Sequence, residues 1–126
     1  MRALLMLAML VLAAPASAAA AAWNFRVMLD DREIGRHRYQ LVPRDDGLEL
    51  RSEARFDVRL WFVSAYRYQH EAVEHWQGGC LRTLQSQTVT NGERIAVSAR
   101  EQDGQLAVER PAGRDLYPGC VWSFAY

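Results

Sequence analysis

Residues Leu48 to Phe62 read LELRSEARFDVRLWF, and this stretch decides the fold. Leu48, Leu50, Ser52, Ala54, Phe56, Val58, Leu60 and Phe62 fall on one set of alternate positions. Glu49, Arg51, Glu53, Arg55, Asp57 and Arg59 fall on the other, and only Trp61 interrupts the polar set. An α-helix would scatter these apolar residues around its circumference, whereas a strand sends successive side chains to opposite faces. The stretch is therefore predicted to be a half-buried β-strand, its charged face in water. It is long for one strand, so a bend is expected near Ser52 or Ala54.

The same period extends outward in both directions. Upstream, Trp23, Phe25, Val27 and Leu29 alternate with Asn24, Arg26 and Met28, and Asp30-Asp31-Arg32 turns the chain. Ile34 to Val42 forms a second strand with Gly35 as a candidate bulge, ended by Pro43 and Asp45-Asp46-Gly47. Downstream, Ser64-Ala65 reads as a short connection. Tyr66, Tyr68, His70, Ala72, Glu74 and Trp76 then share one face of a further strand, and Gln77-Gly78-Gly79 turns. Cys80 to Thr90 is strand-like, and Asn91-Gly92 is the signature of a type I′ hairpin turn. Ile95, Val97 and Ala99 mark the returning strand, Leu106 and Val108 a short one after Asp103-Gly104. Pro111 to Gly119 reads as a loop, and Val121 to Tyr126 as the last strand. The expectation is an all-β domain: an antiparallel meander of about eight strands forming a curved sheet, half-barrel or incomplete barrel. Helix is expected only in the N-terminal segment.

That segment has the three parts of a secretory signal peptide. Arg2 supplies the positive start, Ala3 to Ala14 an apolar run, and Pro15 with Ala16-Ser17-Ala18 a cleavage site. Cleavage is placed after Ala18, with sites up to Ala22 also compatible. The apolar run of roughly 12 residues falls short of the ~20 that span a bilayer, so no transmembrane anchor is expected after cleavage. The expected location is periplasmic or secreted, and residues 19–126 form a single domain. The whole chain has 15 basic and 15 acidic residues. All the basic ones are Arg, and removing Arg2 leaves the mature charge near −1. Such a chain lacks the basic footprint of a nucleic-acid binder.

Two cysteines, Cys80 and Cys120, read as a disulfide in an oxidising compartment. A loop of this length would contribute at most ~4 kcal/mol. Reactive thiols are the alternative reading, although no C-x-x-C spacing supports it. The segment His70-Glu71-Ala72-Val73-Glu74-His75 resembles a zinc-protease helix at first sight. Its spacing does not fit, because the second histidine should lie four residues after the first. On a strand, His70 and Glu74 share a face, and His37 from a neighbouring strand would complete a three-ligand site. The simpler reading is a polar pair satisfied beside the sheet. No nucleophile elbow or phosphate loop is present. The aromatic residues are either core alone or core plus a groove for an apolar ligand, with Tyr66, Tyr68, His70 and Trp76 as candidate ligand-binding residues. No cofactor is implied.

Several short motifs then occur in order. They are Trp23-x-Phe25-x-Val27, Ile34-Gly35-x-His37, Tyr66-x-Tyr68-x-His70, Glu74-x-Trp76, Gly79-Cys80-Leu81, the Thr88 to Gly92 hairpin, Pro118-Gly119-Cys120 and Phe124-Ala125-Tyr126. Together they resemble the bacterial secreted proteins of domain-of-unknown-function family 6134, over essentially the whole mature chain. The resemblance implies no activity. It implies recurring cysteine motifs, which suit a disulfide, and members that continue past Phe-Ala-Tyr, so this chain is expected to be an N-terminal part. The longer members are similar to the half-barrels of periplasmic lipoprotein and lipid carriers. Three functional expectations follow: a non-enzymatic envelope protein binding a lipid or other apolar molecule, an envelope assembly protein whose apolar face docks a protein partner, or a metal-dependent enzyme around His37, His70 and Glu74.

Overall fold

The structure is a computed structural model, and it describes residues 20–120. Eight strands follow one another: β1 (Ala21–Leu29), β2 (Arg32–Arg44), β3 (Gly47–Leu60), β4 (Val63–Gln77), β5 (Cys80–Thr90), β6 (Glu93–Gln102), β7 (Gln105–Arg110) and β8 (Gly113–Pro118). Each pairs antiparallel with the next, giving one sheet in the order β1 to β8. The sheet is unclosed, because β1 and β8 do not pair. No helix occurs among the described residues. The all-β meander expected from the alternation is the fold observed.

Two-residue loops join the strands. Asp30-Asp31, Asn91-Gly92, Gly78-Gly79 and Asp103-Gly104 each have positive φ at both positions. That is the turn geometry whose twist matches paired strands, and Asn, Asp and Gly adopt it at least cost.

The register sorts the side chains into two faces. Along β3, Leu48, Leu50, Ser52, Ala54 and Phe56 stand opposite Pro43, Leu41, Tyr39, His37 and Gly35 of β2. On the other side they stand opposite Trp76, Glu74, Ala72, His70 and Tyr68 of β4. Trp23, Phe25 and Val27 of β1 continue this row through Tyr39, His37 and Gly35. Leu84, Ala99 and Val108 carry it to the far strands. This is the apolar face. Its best-covered part is the cluster Leu81, Leu84, Ala99, Leu106 and Val108, against which Trp76 and Val97 pack.

Local signals misplace several boundaries. Residues 113–118, expected as loop, form β8. The two prolines read as breakers, but Pro111 lies in the β7–β8 turn, and Pro118 ends a strand bordered only by β7 among the described residues, where its missing N–H costs least. The strand expected at Val121 to Tyr126 lies outside the described residues, as does the N-terminal signal segment. Pro43 does not end β2, which runs to Arg44. Pairing with β1 stops at Leu41, so no donor is demanded from Pro43 on that side. Ser64 and Ala65 belong to β4, and the turn is made by Trp61-Phe62 with Trp61 at φ 60°. The register of the β3–β4 pair shifts between Val58 and Arg59, with Ala65 of β4 as the extra residue. The bulge expected at Gly35 sits beside it, with Ile34 as the extra residue opposite Val27 and Met28. Gly35 has a separate constraint: a Cβ there would lie 1.9 Å from the Arg55 carbonyl oxygen.

The Cys80–Cys120 disulfide is formed, with the Cα atoms 4.5 Å apart. Strands β6 and β7 lie between β5 and β8, and a flat sheet would hold those two ~14 Å apart. The chain after β8 instead rounds the tip of the β6–β7 hairpin. There the Gly119 N–H donates to the Gly104 carbonyl at 3.0 Å. A Cβ on Gly119 would lie 2.3 Å from that oxygen, so glycine permits the approach.

Candidate functional site

The apolar face carries its functional character in β1 to β4. Phe25 meets Tyr39 edge-on with ring centroids 6.1 Å apart. Tyr39 stacks on His37 at 4.2 Å. Phe56 stacks on Tyr68 at 5.2 Å, and Tyr68 in turn stacks with Tyr66 at 6.4 Å and His70 at 6.3 Å. Alternation along each strand puts these rings on one side, and the register lines them up across strands. The result is an aromatic band with small or polar groups set into it. Much of it stays open: Trp23 is 47% exposed, Phe25 51% and Tyr66 39%.

The polar groups in this band are held neutral. The His70 Nδ1 and the Thr88 hydroxyl are 2.7 Å apart, and His70 is buried. Burial lowers the His70 pKa, and the nearby His37 lowers it further, against a smaller opposing effect of Glu71. Burial lowers His37 as well. Burial raises the Tyr68 phenol, with a further push from Tyr66. Ser52 is buried between Tyr39 and Ala72 of the flanking strands, and its hydroxyl has no hydrogen-bond partner. These groups offer stacking surfaces and hydrogen bonds rather than a charged centre.

The four candidate ligand residues do share the apolar face of β4, but they do not form one site. Tyr66, Tyr68 and His70 stack in sequence. Trp76 lies eight residues beyond Tyr68, ~26 Å along the strand. It lines a separate cavity of about 310 Å³ with Leu41, Leu48, Leu50 and the turn glycines. The Trp76 indole N–H is itself buried and has no hydrogen-bond partner.

The suggested metal ligands are spread out. His37 and His70 flank Ala54 from strands on either side of β3, ~10 Å apart at the backbone, and Glu74 lies four residues and ~13 Å beyond His70. No group of three His, Cys, Asp or Glu side chains able to hold a metal ion occurs among the described residues. The second histidine of the motif, His75, faces the opposite side, where its Nε2 lies 3.8 Å from Glu49.

Glu49 is the residue that sequence reasoning placed wrongly. Its position in the alternation assigns it to the exposed charged face, yet it is only 4% exposed. Arg44 from the β2–β3 turn region bonds one carboxylate oxygen at 3.1 Å, and Arg51 bonds the other. Chiefly through the Arg51 bond, and against the opposing effect of burial, these partners hold the Glu49 pKa below the usual carboxylate range. The signal available beforehand was the Arg-x-x-x-x-Glu-x-Arg spacing across a tight turn, which brings both guanidiniums to one carboxylate. The cluster is a buried carboxylate held by two half-exposed guanidiniums.

The ordered motifs agree with the comparison to known families. Neither a curated protein nor a solved structure matches the chain. The model of one family matches residues 25–126, and the chain belongs to that family, Domain of unknown function (DUF6134).

Proposed function

We propose that this protein is a non-enzymatic component of the bacterial cell envelope that binds a lipid or another apolar molecule on the apolar face of its sheet. The observation that carries this reading is the open aromatic band on β1 to β4. Large rings left half-exposed in a contiguous row are a standing liability in water, and such patches mark binding surfaces. The band offers flat stacking surfaces, and the Trp76 cavity adds a small apolar recess on the same face. The aromatic band holds two histidines whose pKa values are lowered, so at neutral pH it favours an uncharged guest. Export through the N-terminal segment would place the protein where such lipids occur.

Native mass spectrometry of protein purified from a periplasmic extract tests this. Co-purifying lipid or another apolar adduct is expected, removed by substituting Phe25 and Tyr68 with Ser. Adduct-free protein that retains its fold would discard the proposal.

A second reading has its own observation. Strand β1 is a sheet edge among the described residues, and it presents Trp23 and Phe25 beside an unpaired backbone. That combination suits β-augmentation by an envelope protein partner. A defined hetero-oligomer lacking lipid, dissolved by Trp23→Asp, would favour it.

A further inference from the structure

The β3–β4 hairpin ends in an apolar tip that neither the core nor the aromatic band uses. Leu60 is 64% exposed, Trp61 93%, Phe62 98% and Val63 68%. The pairing of β2 with β3 stops at Phe56, and that of β5 with β4 stops at Tyr68. The ladder of this hairpin continues without neighbours through Val58 opposite Tyr66, Arg59 opposite Ser64 and Leu60 opposite Val63. The tip therefore extends ~13 Å beyond the last residues paired with a neighbouring strand. A polar collar lies behind it. Asp57 accepts bonds from Ser64 and Arg59, and the Arg67 Nε donates to the Ser64 hydroxyl at 3.0 Å. Asp57 is so held ionised, chiefly by the Ser64 hydrogen bond. The collar thus carries Arg59 and Arg67 against one carboxylate, a net positive ring below an apolar point.

We propose that this tip inserts into the surface of a lipid bilayer, with Trp61 and Phe62 among the upper acyl chains and Arg59 and Arg67 at the phosphate level. The shape decides between a membrane and a protein partner. A standard protein interface takes about 20 residues a side, and four residues on a projecting turn fall far short of that. A convex apolar point exposed on all sides matches the interface of a bilayer, which accepts Trp and Phe at the headgroup boundary. The backbone of the turn stays near water, as a shallow insertion requires. Asp30 and Asp31 form the β1–β2 turn at the same end of the sheet as the tip, and they limit how deep the protein settles on anionic lipid. This inference is independent of what the aromatic band binds.

The test uses the full chain and vesicles of equal parts phosphatidylcholine and phosphatidylglycerol, with lipid brominated near the headgroup as quencher. Trp61→Phe keeps the tip apolar and removes only its reporter. The expected result is that wild-type emission is quenched and that the Trp61→Phe chain loses a distinct part of that quenching. Phe62→Asp should raise the lipid needed to quench Trp61 by roughly tenfold or more. Both residues are exposed, so the variants keep the fold, which the unfolding midpoint verifies. Equal quenching in wild type and Trp61→Phe overturns the proposal. So does Trp61 emission that changes with protein concentration but not with lipid, which would assign the tip to a protein interface.

Discussion

The apolar face has two halves built from the same alternation, and they end in opposite states. On β5 to β7, Leu81, Leu84 and Leu106 are 0–1% exposed. On β1, Trp23 and Phe25 remain about half exposed. The difference is not hydrophobicity, since the open half carries the larger rings. It lies in what reaches over each half. The disulfide brings the chain after β8 back to the start of β5, beside Leu81, whereas β1 ends the sheet with nothing beyond it among the described residues. Apolar surface is stabilising only when something removes it from water. The first half is thus core, and the second stays open to solvent.

The comparison breaks most visibly at the covered half. Leu84→Ala should cost about 3–4 kcal/mol, because a fully enclosed site leaves a cavity when truncated. Urea unfolding with an unchanged slope checks this, and a loss under about 1 kcal/mol would deny the core its role. Replacing Cys80 and Cys120 together with Ser should cost about 2–4 kcal/mol by freeing the unfolded chain, and should expose Leu81 and Leu106 to hydrogen exchange at neighbouring amides.

A pH scan sharpens the contrast within the open half. His37 and His70 have folded pKa values below their ordinary 6.5, so the unfolded chain binds protons first. The stability they contribute is complete above that value and is lost as pH falls below it. The unfolding midpoint should therefore decline as pH drops from 7 towards 5, and substituting His70 by Gln should flatten that decline. Glu49 adds an acid-side loss at lower pH: its folded pKa is lowered, so its stabilisation is present above the usual carboxylate range and fades below it. A profile independent of pH between 7 and 5 would mean that the histidines are not desolvated. The smallest effect is predicted at the open edge. Trp23→Ser should change stability by no more than about 0.5–1 kcal/mol, since the side chain is already half in water. A larger loss would show that β1 is covered after all.

Much of this was readable beforehand where the information is local. The period of two along Leu48 to Leu60 assigned both faces of β3, and the β4 residues Tyr66 to Trp76 fell on one face as expected. Asn91-Gly92 gave its turn type because few residues accept positive φ at two successive positions. Strand β8 was missed because Pro111 and Pro118 outweighed a short segment whose Leu116 and Tyr117 are both exposed, leaving no alternation to detect. Gly35 marked the bulge at Ile34, whereas the bulge residues Ala65 and Arg82 carry no compositional mark, so the register shifts there were invisible. Trp76 looked like a partner of Tyr66 and Tyr68 because parity along a strand reports the face and not the distance.

The sequence by itself determined the strands up to β7, their order of turning, the general polarity of each face and the availability of one cysteine pair. Each of these depends on a residue and its close neighbours. Tertiary structure alone decided that Glu49 would be buried among Arg44, Arg51 and His75, that His37 and His70 would sense each other across β3, and that Leu81 would be enclosed while Trp23 stayed open. Those outcomes depend on which strands run past one another and where the chain returns. Side-chain alternation carries no record of either, because it repeats every two residues and is blind to separations of thirty or forty.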